Sequence, residues 1–287
     1  MKRIFVLTVG FCACMRLMAQ SPIRFYPMEN SQDVNIDTHL VIEFDKVVTT
    51  GSKGVITVTD KTTHKVVDRI DMSIPAGPTK GQPRNPNARY SPVPYIYKTG
   101  NITNRNTRPG TPSGAAKEDK RKYQKTIIGG FSDAFHFYPV ICHGNKATVY
   151  LHNNMLDYGH EYEIKISKGV IEGWNGKTSW KFTTKRTVPS SDLHHVVVAA
   201  DGSGDFSTLQ GAMDWIPDSL PSEACRKTVF VKNGDYEELV YFRNKRFVTI
   251  QGESMDRVVV HYPNNEVFNP HPVDIKTNEQ KGTFPSR

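Results

Sequence analysis

Residues 38–48 read THLVIEFDKVV, with Leu40, Ile42 and Phe44 falling on one side of an extended chain and Val41 and Glu43 on the other. The same two-residue rhythm returns in GVITVTDKTTHKVV (54–67), KATVYLH (146–152), EYEIKIS (161–167) and TSWKFTTK (178–185). Period-two alternation is the signature of strands with one face on a core and one in water. The 54–67 stretch reads as two such strands around a polar turn, Asp60 to Thr63. Short strands divided by turns predict two packed sheets from Pro22 to about Thr184.

A second rhythm begins after KRTVPSSDL, a polar, proline-containing stretch that places a linker at 186–193. Beyond it the apolar runs TVFV, RFVTI and RVVVHY are short and separated by turns. Such spacing fits stacked coils of a β-solenoid better than alternating strands and helices. One helix is predicted, over Thr208 to Ile216, where Leu209, Ala212, Met213 and Ile216 recur at helical spacing. Asp205 or Ser207 is the expected N-cap.

The turn ahead of that helix, in VVVAADGSGDFSTLQGAMDWIP (196–217), invites a nucleotide-binding reading. A dinucleotide fold needs G-x-G-x-x-G, and the third glycine position here is Ser207. No Gly-Lys-Ser/Thr follows, and KTVFVKNG lacks an acidic residue at its end for a ribose hydroxyl. Gly202 and Gly204 are therefore expected to supply backbone freedom for a turn, not an anion site. Asp201 and Asp205 fit turn and cap roles, and Glu238 a structural place near a strand end.

The ends and the interior carry further signals. Lys2 and Arg3 precede the apolar run IFVLTVGFCACM, and Ala19 follows, the pattern of a secretory signal over residues 1–19. Its removal takes Lys2, Arg3 and Arg16 with it and lowers the formal charge from +8 to +5. It also leaves only Cys142 and Cys225, too few for a disulfide framework and in no zinc-binding spacing. The adjacent His194 and His195 have no metal partner at useful spacing, so no metal and no cofactor is expected. No run of 18 apolar residues occurs, which excludes a helical membrane span. Nucleic-acid binding would want a denser basic face with aromatics.

Proline, glycine and asparagine crowd residues 75–130, predicting a long loop inserted in the first region. It holds a sequon at Asn101 and a basic cluster, Lys117, Lys120, Arg121, Lys122 and Lys125, that reads first as a solvated loop and second as a seat for an anionic sugar chain.

Two resemblances gather these observations. YPMENSQDVNIDTHLVIEFDKVV, GVITVTD, the Leu156, Tyr158, Gly159 and Tyr162 motif, and WKFTT resemble a bacterial Ig-like module of surface-layer type, spanning 21–185. From Val198 to Asp214 the chain resembles the opening of a pectin methylesterase catalytic domain, V-A-x-D-G-S-G-D-F-x-T-[IL]-Q-x-A-[IM]-D. The strand into Gly-x-Tyr-x-Glu that follows is Val229 to Glu238. The matching residues include Asp201, Gly202, Gly204, Asp205, Phe206, Gln210, Gly234, Tyr236 and Glu238, all expected to be structural.

The resemblances imply an all-β chain: an Ig-like β-sandwich, then over 194–287 the first coils of a right-handed parallel β-helix lidded by a short helix. The implied setting is an exported protein, secreted or periplasmic, acting on pectin or polygalacturonate by methyl-ester hydrolysis without metal or organic cofactor. That family works with an aspartate nucleophile, a second aspartate, glutamines and an arginine on later coils. Their motifs do not occur in these 287 residues, so no catalytic residue is assigned and the chain is expected to be an inactive fragment of a longer esterase. The alternative is a non-catalytic carbohydrate-binding or surface-adhesion protein.

Overall fold

The computed structural model of the chain describes residues 20–77, 123–127, 134–217, 220–242, 245–264 and 268. The signal sequence, the Asn101 sequon and the basic cluster from Lys117 to Lys122 lie outside them.

The first half is built from eleven strands: β1 (Pro22–Tyr26), β2 (Ser31–Val34), β3 (Leu40–Phe44), β4 (Val55–Asp60), β5 (Lys65–Asp71), β6 (Lys125–Ile127), β7 (Ala134–His136), β8 (Val140–His143), β9 (Lys146–Val149), β10 (Glu161–Ser167) and β11 (Gly176–Thr184). They form a four-stranded sheet, β1-β3-β9-β8, and a five-stranded sheet, β2-β11-β10-β4-β5, with β6 and β7 paired apart. Every pairing is antiparallel except β2 with β11. The alternation read from the sequence is the burial pattern itself. Leu40, Ile42 and Phe44 of one sheet and Ile56, Val58, Tyr162, Ile164, Trp180 and Phe182 of the other point into one shared core. The Trp180 indole N–H, which cannot be left unbonded in such a place, donates to the Pro27 carbonyl at 2.9 Å.

Turn chemistry closes the strands. The Asp60 carboxylate accepts from the Thr62 and Thr63 amides at 2.8 and 3.0 Å, the local side-chain turn that Asp favours. Gly144 takes positive φ in the tight β8-β9 connection. The expected 75–130 loop needs one correction: residues 125–127 are the strand β6, paired to β7. The threonine and isoleucine of KTI supply strand propensity that the charged run KEDKRK before them lacks.

The second half contains β12 (His195–Val198), α1 (Leu209–Trp215), a 3₁₀ turn at Glu223–Cys225, β13 (Lys227–Val231), β14 (Gly234–Glu237), β15 (Val248–Gly252) and β16 (Val258–His261). Here every ladder is parallel: β12-β13-β15 in one sheet and β14-β16 in another. Lys227 pairs with Val248 and Gly234 with Val258, a stacking interval of 21 to 24 residues. Only Lys232 and Asn233 separate β13 from β14, and this corner is tied to the one above it. The Asn233 amide donates to Glu253 at 2.7 Å, and the Ser254 hydroxyl to the Asn233 side chain at 2.6 Å. Val196, Val198, Val229, Val231 and Tyr236 form the core of this region, and Leu209, Ala212 and Met213 of α1, with Ile216 at its C-cap, pack into the same cluster.

Mostly strand with one short helix, the chain is all-β, and among the described residues no sheet closes into a barrel. Among them, too, no helix is long and apolar enough to cross a membrane.

Candidate functional site

The segment DGSGDFSTLQG lies where the two regions meet, and most of its residues are occupied by that meeting. Gly202 has φ +78°, as a turn glycine should. A Cβ on it would lie 2.2 Å from the Tyr26 hydroxyl of β1. Gly204 has no positive φ; the expectation of backbone freedom is corrected to one of crowding, because its Cβ would strike the Val197 carbonyl at 2.5 Å. Gly211 faces the other region as well, with a Cβ position 2.2 Å from Asp37 Oδ2. Glycine at 202 and 211 thus permits close approach of the first region.

Polar contacts fix that approach. The buried Asn35 amide donates to Ser207 Oγ at 3.0 Å and lies 3.4 Å from the carbonyls of Gly202 and Gly204. Lys185 reaches the Gly204 carbonyl at 2.6 Å. Asp37 Oδ2 accepts from the amides of Ser207 and Thr208 and from the Thr208 hydroxyl, at 2.8 to 3.0 Å. Across the same junction Glu237 accepts from His143 at 2.9 Å and from the Tyr150 hydroxyl at 3.1 Å.

Each carboxylate of the motif is already committed. Asp201, exposed, accepts from the Ser203 amide two residues on, and this contact with Ser203 holds its carboxyl below the usual range. Asp205 Oδ2 takes the Val197 amide at 2.8 Å, bracing β12. Neither Asp205 nor Ser207 caps α1: the N-cap is Thr208, whose hydroxyl accepts from the Gly211 amide at 2.9 Å. Ser207 cannot serve, since its hydroxyl is taken by Asn35 and its amide by Asp37. Glu238, one residue beyond β14, accepts from the Leu209 and Gln210 amides at 2.8 and 2.9 Å and so satisfies the first turn of α1 from a distant strand.

The rest of the motif packs. Phe206 is buried beside Trp215, and Gly234 leaves space for the Tyr236 ring, whose hydroxyl donates to the Lys232 carbonyl at 2.8 Å. The Gln210 side chain donates to Asp214 at 2.6 Å and accepts from the Tyr241 amide at 2.7 Å. Residues 186–193 are held as well. Trp215 donates to the Pro189 carbonyl, and the buried Lys227 ammonium to those of Ser191 and Leu193. Cys142 and Cys225 are free thiols, and His194 is bonded to the Arg226 carbonyl.

Under this junction is a cavity of about 170 Å³ with walls from both regions, among them Ile36, Asp37, His152, Gln210, Asp214 and Glu238. Its acids share one environment. Burial raises the carboxyls of Asp214 and Glu238 to about 7, and that of Asp37 upward, against hydrogen bonds that pull each the other way. Asp37 raises Asp214 further and both raise Glu238, while Lys245 pulls Asp214 down. Burial lowers His39 to about 4 and keeps it neutral. Sequence reading missed Asn35, Asp37, Lys185 and Asp214, because nothing local to NID or QGAMD says what lies across a contact spanning some 170 residues. The one hint is the polar run Asp37, Thr38 and His39 directly before the strand LVIEF.

Residues 195–275 match the family model described as Pectinesterase. A pectinesterase/pectinesterase inhibitor of Ficus pumila var. awkeotsang is 42% identical over 73 residues, 25% of this chain and 13% of that protein's length. Among solved structures, CopC from Methylosinus trichosporium OB3b aligns with 58% of this chain and 93% of its own, at 12% identity and a TM-score of 0.24, a likeness too slight to carry an argument. The stretch that forms α1 and the parallel ladders thus lies within the match to the Pectinesterase model, and the two sheets that precede it are of a different build.

Proposed function

We propose that the chain is the Ig-like module and opening coils of an exported pectinesterase, whose reaction is hydrolysis of galacturonate methyl esters in pectin. The supporting observation is the parallel stacking of β13-β14 beneath β15-β16 within the stretch that matches the family. On this reading the parallel ladders are the first turns of a right-handed β-helix, α1 lids one end, and the Ig-like module covers α1. Residues 1–19 direct export.

The motif carboxylates are assigned no part in the chemistry itself. An ester hydrolase of this kind needs a carboxylate free to attack and donors placed for the oxyanion. Asp201, Asp205 and Glu238 each spend at least one oxygen on backbone amides that hold the fold, and the family's later motifs do not occur in the sequence. Methanol release from methylated pectin measures the point directly. The purified chain is expected to release none above background, and turnover would overturn the assignment of catalysis to other residues.

The same commitment of carboxylates favours a second reading, a non-catalytic carbohydrate-binding or adhesion protein. It requires polygalacturonate binding by this chain that is lost when Lys117 to Lys125 are neutralised.

A further inference from the structure

Three polar atoms at the junction cavity are buried and have no partner: Asp37 Oδ1, His39 Nε2 and His152 Nε2. His152 is fully enclosed, and its orientation is fixed from behind. Its backbone amide donates to Asp68 Oδ2 at 2.9 Å, and its Nδ1 meets Asp68 Oδ1 at 2.7 Å. That leaves Nε2 as the ring atom without a partner. On Asp37, Oδ2 accepts from Ser207 and Thr208, and Oδ1 is left without a partner. Buried polar atoms without partners are costly, and in folded proteins they are nearly always satisfied by something.

Charge narrows what that something is. Asp37, Asp214 and Glu238 contribute three carboxyls around one small space, His39 is neutral there, and the cation acting on Asp214 is Lys245. Above about pH 7, where Asp214 and Glu238 ionise, such a site repels anions, including uronate fragments, and favours a positive guest. A metal ion demands donor atoms converging on one point. Among the described residues the group that converges in that way is Asp60, Asp157 and His160, which is not at this cavity. The walls instead present apolar surface beside the acceptors: Ile36, Leu151, Phe206, Trp215 and Leu239.

We propose that this cavity binds a small organic cation, a primary ammonium or amidinium on an apolar body, with Asp37 Oδ1 as its ion-pair partner. The volume suits roughly six to ten heavy atoms, since an apolar cavity of about 150 Å³ holds benzene. The proposal stands whether or not the pectinesterase reading does. The site also links the two regions: a guest bound between them stabilises the docked arrangement by mass action.

The test is calorimetric titration of the full chain at pH 8 with benzylamine and, as its uncharged isostere, benzyl alcohol. Benzylamine is expected to bind at least about tenfold more tightly, the difference an ion pair in a desolvated site provides. Asp37→Asn is expected to bring the two probes to equal affinity. Because Asp37 also holds the junction, a second variant leaves those contacts alone: Val188, half exposed in the cavity wall, is replaced in Val188→Trp. That variant is expected to keep the parent's melting temperature without ligand and to lose benzylamine binding. Equal affinity for the two probes would reveal an apolar hole and overturn the proposal. So would the absence of heat with benzylamine at millimolar concentration, or undiminished binding in Val188→Trp.

Discussion

Val58 of β4 and Val259 of β16 are the same residue in the same kind of element, yet the first is fully enclosed and the second is 48% exposed. The first region closes on itself, two antiparallel sheets whose inner faces are each other's cover. In the second, β12 and β13 are covered by neighbours and by α1, whereas β15 and β16 leave Ile250, Val259 and Val260 at the surface. A two-sheet core is complete when both sheets are present; a stacked coil is complete only up to its last neighbour. Stability should therefore be concentrated in the first region, shared at the junction, and thin at β15 and β16.

The largest expected effect tests the first clause. Trp180→Ala removes the largest fully buried side chain, together with the bond to Pro27, and should cost about 3–5 kcal/mol. Denaturant unfolding followed by intrinsic fluorescence measures it. A loss under about 1 kcal/mol would mean that the two sheets are not the stable half.

The junction comes next. Glu238→Gln keeps one acceptor but takes away the charge that serves two α1 amides, and should cost about 1.5–3 kcal/mol. Gly211→Ala sets helix propensity, worth about 1 kcal/mol in favour of alanine, against a Cβ 2.2 Å from Asp37 Oδ2. The clash should win, leaving a net loss of about 1–2 kcal/mol. In the Asp37→Ala background the same substitution should become stabilising. If its effect is the same in both backgrounds, Asp37 does not press on α1, and the two regions are less closely docked than their contacts imply.

How much of this could be read beforehand follows from the range of each interaction. The alternation of Leu40, Ile42 and Phe44 is local, and it gave the strands and their buried faces directly. The helix from Leu209 was legible for the same reason. Its cap was not, because the choice among Asp205, Ser207 and Thr208 is decided by Asn35 and Asp37, which occupy Ser207 from across the junction. Glu238 was read as structural, but its task, bonding the start of a helix some 28 residues earlier, is a tertiary fact. Gly211 shows the limit most clearly: within a helix a glycine looks like a weak point, and its reason is an aspartate in the β2-β3 connection of the other region.

Acidity separates the regions in the opposite direction. Asp214 and Glu238 are raised to about 7 by burial, above the value of about 4 they have in an unfolded chain. The folded junction therefore holds extra protons between those values, and its stability falls as pH rises from about 4 through 7. In the first region Asp71 is lowered by its bond from Ser73, Glu163 by its bond from Ser179, and Asp60 by bonds from His160 and Thr63 that outweigh its burial. Lowered carboxyls contribute stability above about pH 4 and lose it only below that. Hydrogen exchange at pH 5 and pH 8, corrected for intrinsic rates, should show amides of α1 and β13 losing protection at the higher pH, with β4 and β10 unchanged. Parallel loss in both regions would place the acid response somewhere other than the junction.

The smallest effect bears on the open edge. Val259→Ala trims a side chain that is half in water and should change stability by no more than about 0.5 kcal/mol. Val58→Ala, in a fully enclosed position, forfeits buried contacts and leaves a void, and should cost clearly more. The pair isolates context from residue type, since both valines sit in strands and have the same propensity. A cost at Val259 approaching that at Val58 would mean that the outer ladder is covered in solution by a further strand. The edge would then be a pairing surface in use, because an exposed strand with open amides and carbonyls is a template for another.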